Sequence, residues 1–256
     1  MLVALTQLGG KGFYSCKVAS DIDGIFYRDD LVKQGVDTNL FYGKLDDGET
    51  GKCLVMITPD AERTMSTFLG ISSNLSLSDL HLDQLEDSHY LFMEGYLVSS
   101  PTGVVAIREA KKRAKAAGTQ IVLTFSDPSM VKYFGEQMNE VVGDGVDLLF
   151  CNEQEAKVYT GTDDLSQAID NLKNITKSYV ITLGRNGAEI WDGKNTYYID
   201  AVKTQAVDTT GAGDIFAGAF LYGINYGLTF KVAGNLASLA ASQVVSQYGL
   251  GLPTRK

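Results

Sequence analysis

Short apolar runs alternate with amphipathic stretches along this chain, and the alternation becomes regular from about residue 89. CLVMIT (53–58) and RTMSTFL (63–69) read as two strands around a tight turn carrying Pro59 and Asp60. HYLFMEGYLV (89–98) has the composition of a strand. The next stretch has a helical period, with Ser100 as its cap, Pro101 at its first position and Gly118 as its stop. QIVLTFS (120–126) and VDLLFC (146–151) read as buried strands, with a helix over 131–142 between them. NEQEAKVYTG opens another helix at residue 152. YVITLG (179–184) and AEIWDGKNTYYI (188–199) predict strands, the second run turning at Asp192-Gly193. Helices over 213–226 and 230–247 close the pattern. Strand and helix in alternation predict an α/β fold, a mostly parallel sheet with helices on both faces. Ligands of such sheets sit at the carboxyl ends of the strands.

Composition narrows the function classes. The chain has 256 residues, 45% of them hydrophobic, and a net charge of −9. Its length suits one domain. An acidic chain is poorly matched to nucleic-acid phosphates, so no nucleic acid is expected as partner. Lys111, Lys112, Arg113 and Lys115 cluster on one predicted helix and read as its solvated face. No apolar run reaches membrane-spanning length, so no membrane partner is expected. Cys16, Cys53 and Cys151 are scattered without a CxxC pair. They fit a reducing, cytoplasmic setting and read as small buried hydrophobes.

The candidate chemistry lies in VDTTGAGDIFAGAFLYG (207–223). Gly211, Ala212 and Gly213 precede an apolar helix whose buried side carries Ile215, Phe216, Ala219 and Phe220. Small side chains leave N–H groups accessible, and a helix start adds unpaired N–H groups and partial positive charge. Such a start suits phosphate. A carboxylate beside it, Asp214, suits a base that takes a hydroxyl proton while a phosphoryl group moves. The same aspartate also reads as an ordinary helix cap. Thr182, Gly184 and Gly187 in TLGRNG suit either a close backbone approach to a nucleotide or a plain hairpin turn. Asn152 and Glu155 in NEQE suit either a hydrated Mg²⁺ near phosphates or a capping box.

N-x-x-E, then T-x-G-x-x-G, then D-T-x-G-A-G-D resembles the ribokinase-like (PfkB) carbohydrate kinases, over nearly the whole chain. TGKCLVMITPDAERTMSTFLGIS (50–72) and LLFCNEQEA look most like the adenosine-kinase branch. The resemblance implies a ribokinase-like three-layer α/β/α sandwich, a single domain over 1–256, with a small β lid within 38–72. It implies ATP and Mg²⁺, and transfer of the γ-phosphoryl group to a primary hydroxyl of a nucleoside or sugar. Asp214 is then the base, and Gly211, Ala212 and Gly213 supply the anion hole. Asp208 lies near the nucleotide phosphates, Asn152 and Glu155 organise Mg²⁺ and phosphate, and Thr182, Gly184 and Gly187 line the ATP site. Asn235 and Ser238 lie on the helix that passes the adenine, and Arg63 in the lid hairpin is a further substrate contact or a solvated charge.

The start departs from the family. Gly9-Gly10 is followed by KGFYSC, without the asparagine of the family's G-G-x-x-x-N helix, and LVALTQLGG looks like the tail of that helix. The expectation is a chain shortened at its N-terminus, or numbered from an internal Met, without the usual acceptor-binding Asp and Asn. A ribokinase- or fructokinase-type sugar kinase and a non-catalytic nucleotide-binding relative lacking the acceptor half-site remain as alternatives, and a homodimer through lid strands or an exposed sheet edge is a further expectation.

Overall fold

The computed structural model describes residues 1–41, 43–58, 63–249 and 252. The chain divides into two compact units, Met1–Ser72 with Ile199–Lys256, and Ser73–Tyr198.

The first unit opens with α1 (Leu2–Gln7), β1 (Phe13–Tyr14), α2 (Ile22–Lys33) and β2 (Asp37–Thr38), with β1 and β2 parallel. Asp21 caps α2. Its carboxylate accepts from the Gly24 N–H at 2.9 Å, and from the Thr50 hydroxyl and N–H at 2.5 and 2.9 Å. The Thr50 bonds, first its hydroxyl and then its N–H, hold the Asp21 carboxyl at about 2, below its ordinary 3.8. Thr50 opens β3 (Thr50–Ile57), which pairs antiparallel with β4 (Arg63–Gly70) in a two-stranded sheet. The Pro59-Asp60 turn and the Arg63 side chain fall outside the described residues. Apolar side chains stand on both faces of this hairpin, and Leu54, Met56, Met65, Phe68 and Leu69 are exposed. Cys53 is exposed there too, its Sγ 3.3 Å from Thr67 Oγ1, so the expected burial holds for Cys16 and Cys151 alone.

The second unit carries β5 (Tyr90–Glu94), α3 (Pro101–Ala117), β6 (Gln120–Thr124), α4 (Pro128–Tyr133), α5 (Gly135–Val142), β7 (Leu148–Asn152), α6 (Glu153–Thr160), α7 (Leu165–Leu172), β8 (Tyr179–Thr182) and β9 (Ala188–Trp191). With β10 (Thr196–Ile199), which ends at the unit boundary, the strands form a six-stranded sheet in the order β10-β9-β8-β7-β6-β5. β5 to β8 are parallel, and β9 runs antiparallel to β8. Ile121, Val122, Leu123, Leu149, Val180 and Ile181 are fully buried. Strands covered on both faces read as continuous apolar runs, which is why these were legible. α3 begins and ends as its sequence signals. Ser100 Oγ accepts from the Gly103 N–H at 3.1 Å, and Gly118 takes a left-handed φ of 83°.

Three expectations change. The strand over 89–98 stops at Glu94, where Gly95 presses so close to the neighbouring strand that a Cβ would lie 2.5 Å from Phe125 O. The helix over 131–142 breaks at Phe134 into α4 and α5. Lys111 is not on a solvated face. It is buried, and its Nζ donates to Val141 O at 3.1 Å and to Val142 O at 2.5 Å, capping the last turn of α5. Burial pushes its ammonium pKa down.

The chain then returns to the first unit with α8 (Ala212–Asn225) and α9 (Phe230–Val245). Ile215, Phe216, Ala219 and Phe220 of α8 are buried as expected. Gly218 lets α1 approach α8, since a Cβ there would lie 2.5 Å from Met1 O.

Candidate active site

In the first unit the polar loop before α8 is shaped by its own side chains. Asp208 is buried, and its Oδ1 accepts from the Thr210 N–H at 2.8 Å. The Val207 and Asp208 N–H groups donate to Val245 O at 2.7 and 3.3 Å, which ties the loop to the end of α9. Gly211 takes the left-handed N-cap position at φ 74°. The Ala212 N–H donates to Thr209 O at 3.2 Å, so this N–H is engaged within the loop, against the expectation that it faces an anion. The N–H groups of Gly213 and Asp214 find no acceptor among the described residues. A Cβ on Gly213 would meet nothing within 4 Å. Glycine is therefore not demanded by the protein's own packing, and it leaves the helix start bare. Asp214, in the first turn, keeps 58% of its side-chain surface exposed, with the Met1 nitrogen 3.7 Å from Oδ1.

α9 carries the two further candidates. Asn235 is exposed. Ser238 is buried, and its Oγ donates to Asp200 O at 2.8 Å and accepts from the Val202 N–H at 3.3 Å. Its hydroxyl is taken up in holding residues 200–202 against the helix.

In the second unit the candidates gather at the carboxyl ends of adjacent parallel strands. β7 ends in Asn152 opposite Thr182, the last residue of β8. Gly184 and Gly187 take φ of 57° and 89° in the short loop to β9, closed by Leu183 N–H to Gly187 O at 2.8 Å. Asn152 and Glu155 form the capping box of α6. Asn152 Oδ1 accepts from the Glu155 N–H at 2.8 Å. Glu155 Oε2 and Oε1 accept from the Asn152 N–H and Nδ2 at 3.0 and 2.7 Å. Glu155 is 5% exposed, and burial pushes its carboxyl up to about 7, with the charge of Asp127 adding to the shift against the Asn152 N–H bond. Asp127 was missed in the sequence. Its only local signal is that of an α4 cap, accepting from the Ser129 N–H at 2.7 Å, and nothing in chain order places its charge near Glu155.

The donor set fits a hydrated Mg²⁺ carried by phosphates. Each Glu155 oxygen accepts one bond and retains a lone pair, and a cation nearby offsets the burial of the carboxylate and the repulsion from Asp127. Magnesium is commonly held through one or two carboxylates, waters and phosphate oxygens. Among the described residues no group of three His, Cys, Asp or Glu side chains offers an all-protein cage.

The fold recurs in solved structures. A probable sugar kinase from Rhizobium etli CFN 42 superposes with a TM-score of 0.93 at 34% identity, covering 98% of this chain and 77% of that one. An adenosine kinase from Sinorhizobium meliloti superposes with a TM-score of 0.92 at 34% identity, over 97% of this chain and 76% of that one. A candidate ribokinase II from E. coli, solved with ATP and Mg²⁺, has a TM-score of 0.89 over 98% of this chain and 83% of that one, and at 21% identity it speaks for the fold alone. The α/β architecture with its mostly parallel central sheet is thus ribokinase-like. The match to the pfkB family carbohydrate kinases runs through residues 1–256. The chain therefore belongs to that family, phosphotransferases with an alcohol group as acceptor.

Proposed function

We propose that this chain transfers the γ-phosphoryl group of ATP to the primary hydroxyl of a nucleoside, as an adenosine-kinase-like enzyme. The observation that carries the reading is the start of α8, where an exposed carboxylate stands beside two unengaged N–H groups. Asp214 takes the proton of the acceptor hydroxyl. Gly213 and Asp214 present N–H groups to the transferring phosphoryl oxygens, where charge is spread in the transition state. Gly211 sets the turn, Ala212 keeps it open, and Asp208 holds the loop against α9. Mg²⁺ supplies charge neutralisation at the phosphates when bound. Asn152 orients Glu155 towards the hydrated cation. Thr182, Gly184 and Gly187 border the nucleotide, Asn235 faces the adenine, and Ser238 supports that wall.

The β3–β4 hairpin acts as the lid. Its apolar positions Val55, Ile57, Met65 and Leu69, which share one face, suit a planar base better than a bare sugar. That face, with the 34% identity to an adenosine kinase, favours a nucleoside over ribose or fructose. The opposite face carries Leu54, Met56 and Phe68, and we propose it as the contact of a homodimer. A monomeric mass by sedimentation at micromolar concentration would sink the dimer.

ATP consumption measured over adenosine, other nucleosides, ribose and fructose tests the acceptor. Asp214→Ala should lower kcat by about 10²–10⁴ while Mg·ATP still binds. Turnover that survives the substitution removes Asp214 as the base. ATP binding with no acceptor turned over favours the non-catalytic alternative.

A further inference from the structure

The two residues after β6 hold an unusual backbone. Ser126, at φ 69°, is the one non-glycine among the described residues with positive φ. Across it the Asp127 N–H donates to Phe125 O at 2.8 Å, which closes a γ-turn of the rare, strained hand. Glycine would carry this turn without strain. Strain retained at a strand end points towards function.

The same residue holds a second unfavourable feature. Its Oγ is buried and has no hydrogen-bond partner among the described residues. The rest of Ser126 is satisfied. Its N–H donates to Thr124 Oγ1 at 3.2 Å, and its carbonyl accepts from the Tyr96 hydroxyl at 3.4 Å. An alanine would remove the orphaned hydroxyl, and a glycine would remove both the hydroxyl and the strain. Neither stands here. Ser126 as a whole is half-buried although its Oγ is fully covered, and it stands just past the carboxyl end of β6. That end belongs to the row already described. The Phe125 N–H donates to Phe150 O at 3.1 Å, two residues before Asn152.

We infer that Ser126 binds the phosphate end of the nucleotide, its hydroxyl donating to an oxygen of the magnesium–phosphate group. The inference rests on the nucleotide reading proposed above. A hydroxyl that rotates to a charged oxygen gains the partner it lacks, and its bond to a charged group is among the stronger kinds.

The test is thermal unfolding of the full chain with ADP, which permits no turnover, with and without Mg²⁺. Without nucleotide, Ser126→Ala should unfold at or above the wild-type temperature, and Ser126→Gly higher still as the turn relaxes. Both should bind ADP about tenfold more weakly, read from the smaller ligand-induced rise in Tm. Weakening only with Mg²⁺ present identifies a metal-bound water as the partner, and weakening in both conditions identifies a phosphate oxygen. Either result supports the inference. Unchanged ADP affinity in Ser126→Ala, with the wild type clearly stabilised, overturns it and leaves the nucleotide reading standing. A wild type that ADP does not stabilise in either condition overturns both. If the alanine variant does not fold, the glycine variant carries the same comparison.

Discussion

At the scale of single residues, the Glu155 carboxyl gives the clearest pH signature. Its folded value of about 7 lies above the ordinary 4.5, chiefly because burial disfavours the charge. Below about 4.5 both folded and unfolded chains hold the proton, and no penalty exists. As pH rises through about 7 the unfolded chain ionises first, so stability falls, by about 3 kcal/mol once the transition is complete. Glu155→Gln carries no such titration. Its Tm relative to wild type should therefore rise between pH 5 and pH 8, and an unchanged difference would refute the buried-carboxyl account. Asn152 and Glu155 were legible as a pair from their spacing, because a capping box is a local device. The burial of Glu155 was not legible, since it depends on what surrounds the end of β7.

At the scale of elements, two glycines of α8 should answer one substitution with opposite signs. Alanine in place of glycine usually favours a helix by about 0.5–1 kcal/mol. Gly213 faces open space, so Gly213→Ala should raise Tm by a small amount while weakening Mg·ATP binding, because the new methyl crowds the bare N–H groups. Gly218 faces α1, and its new Cβ would lie 2.5 Å from Met1 O and 3.0 Å from Ala4 Cβ. Gly218→Ala should lower stability by about 1–3 kcal/mol. Denaturant melts of both variants check the pair, and two shifts of the same sign would contradict it. Helix α3 was readable end to end from Ser100, Pro101 and Gly118, which act within one turn of the ends they define. The break at Phe134 was not, because an apolar helical period runs unbroken through 131–142.

At the scale of the whole molecule, the β3–β4 hairpin stands out for how little it buries. Two strands alone are marginal in water, and both faces here keep exposed apolar side chains. Leu54→Ser and Phe68→Ser should shift the unfolding free energy of the isolated chain by no more than about 0.5 kcal/mol. If this face joins two copies, the same variants should sediment as monomers where the wild type does not. A large loss of stability in a variant that was monomeric from the start would mean that the face packs within its own chain. Among the described residues no helix is long and apolar enough to cross a membrane.

The sequence by itself determined the alternation of strands and helices, the caps of α3 and α6, and the ordered motifs that mark the family, because each is written in the spacing of neighbouring residues. Tertiary structure decided what depends on residues far apart in the chain. It left Cys53 exposed on the β3–β4 hairpin, and it buried Lys111 against the carbonyls that end α5. It engaged the Ser238 hydroxyl with residues 200–202. It brought the charge of Asp127 to bear on Glu155 and held Ser126 in a strained turn with an unpaired hydroxyl. The physical reason is range. Periodicity and capping act over a few residues, whereas burial, desolvation and strain are set by whatever the fold brings alongside.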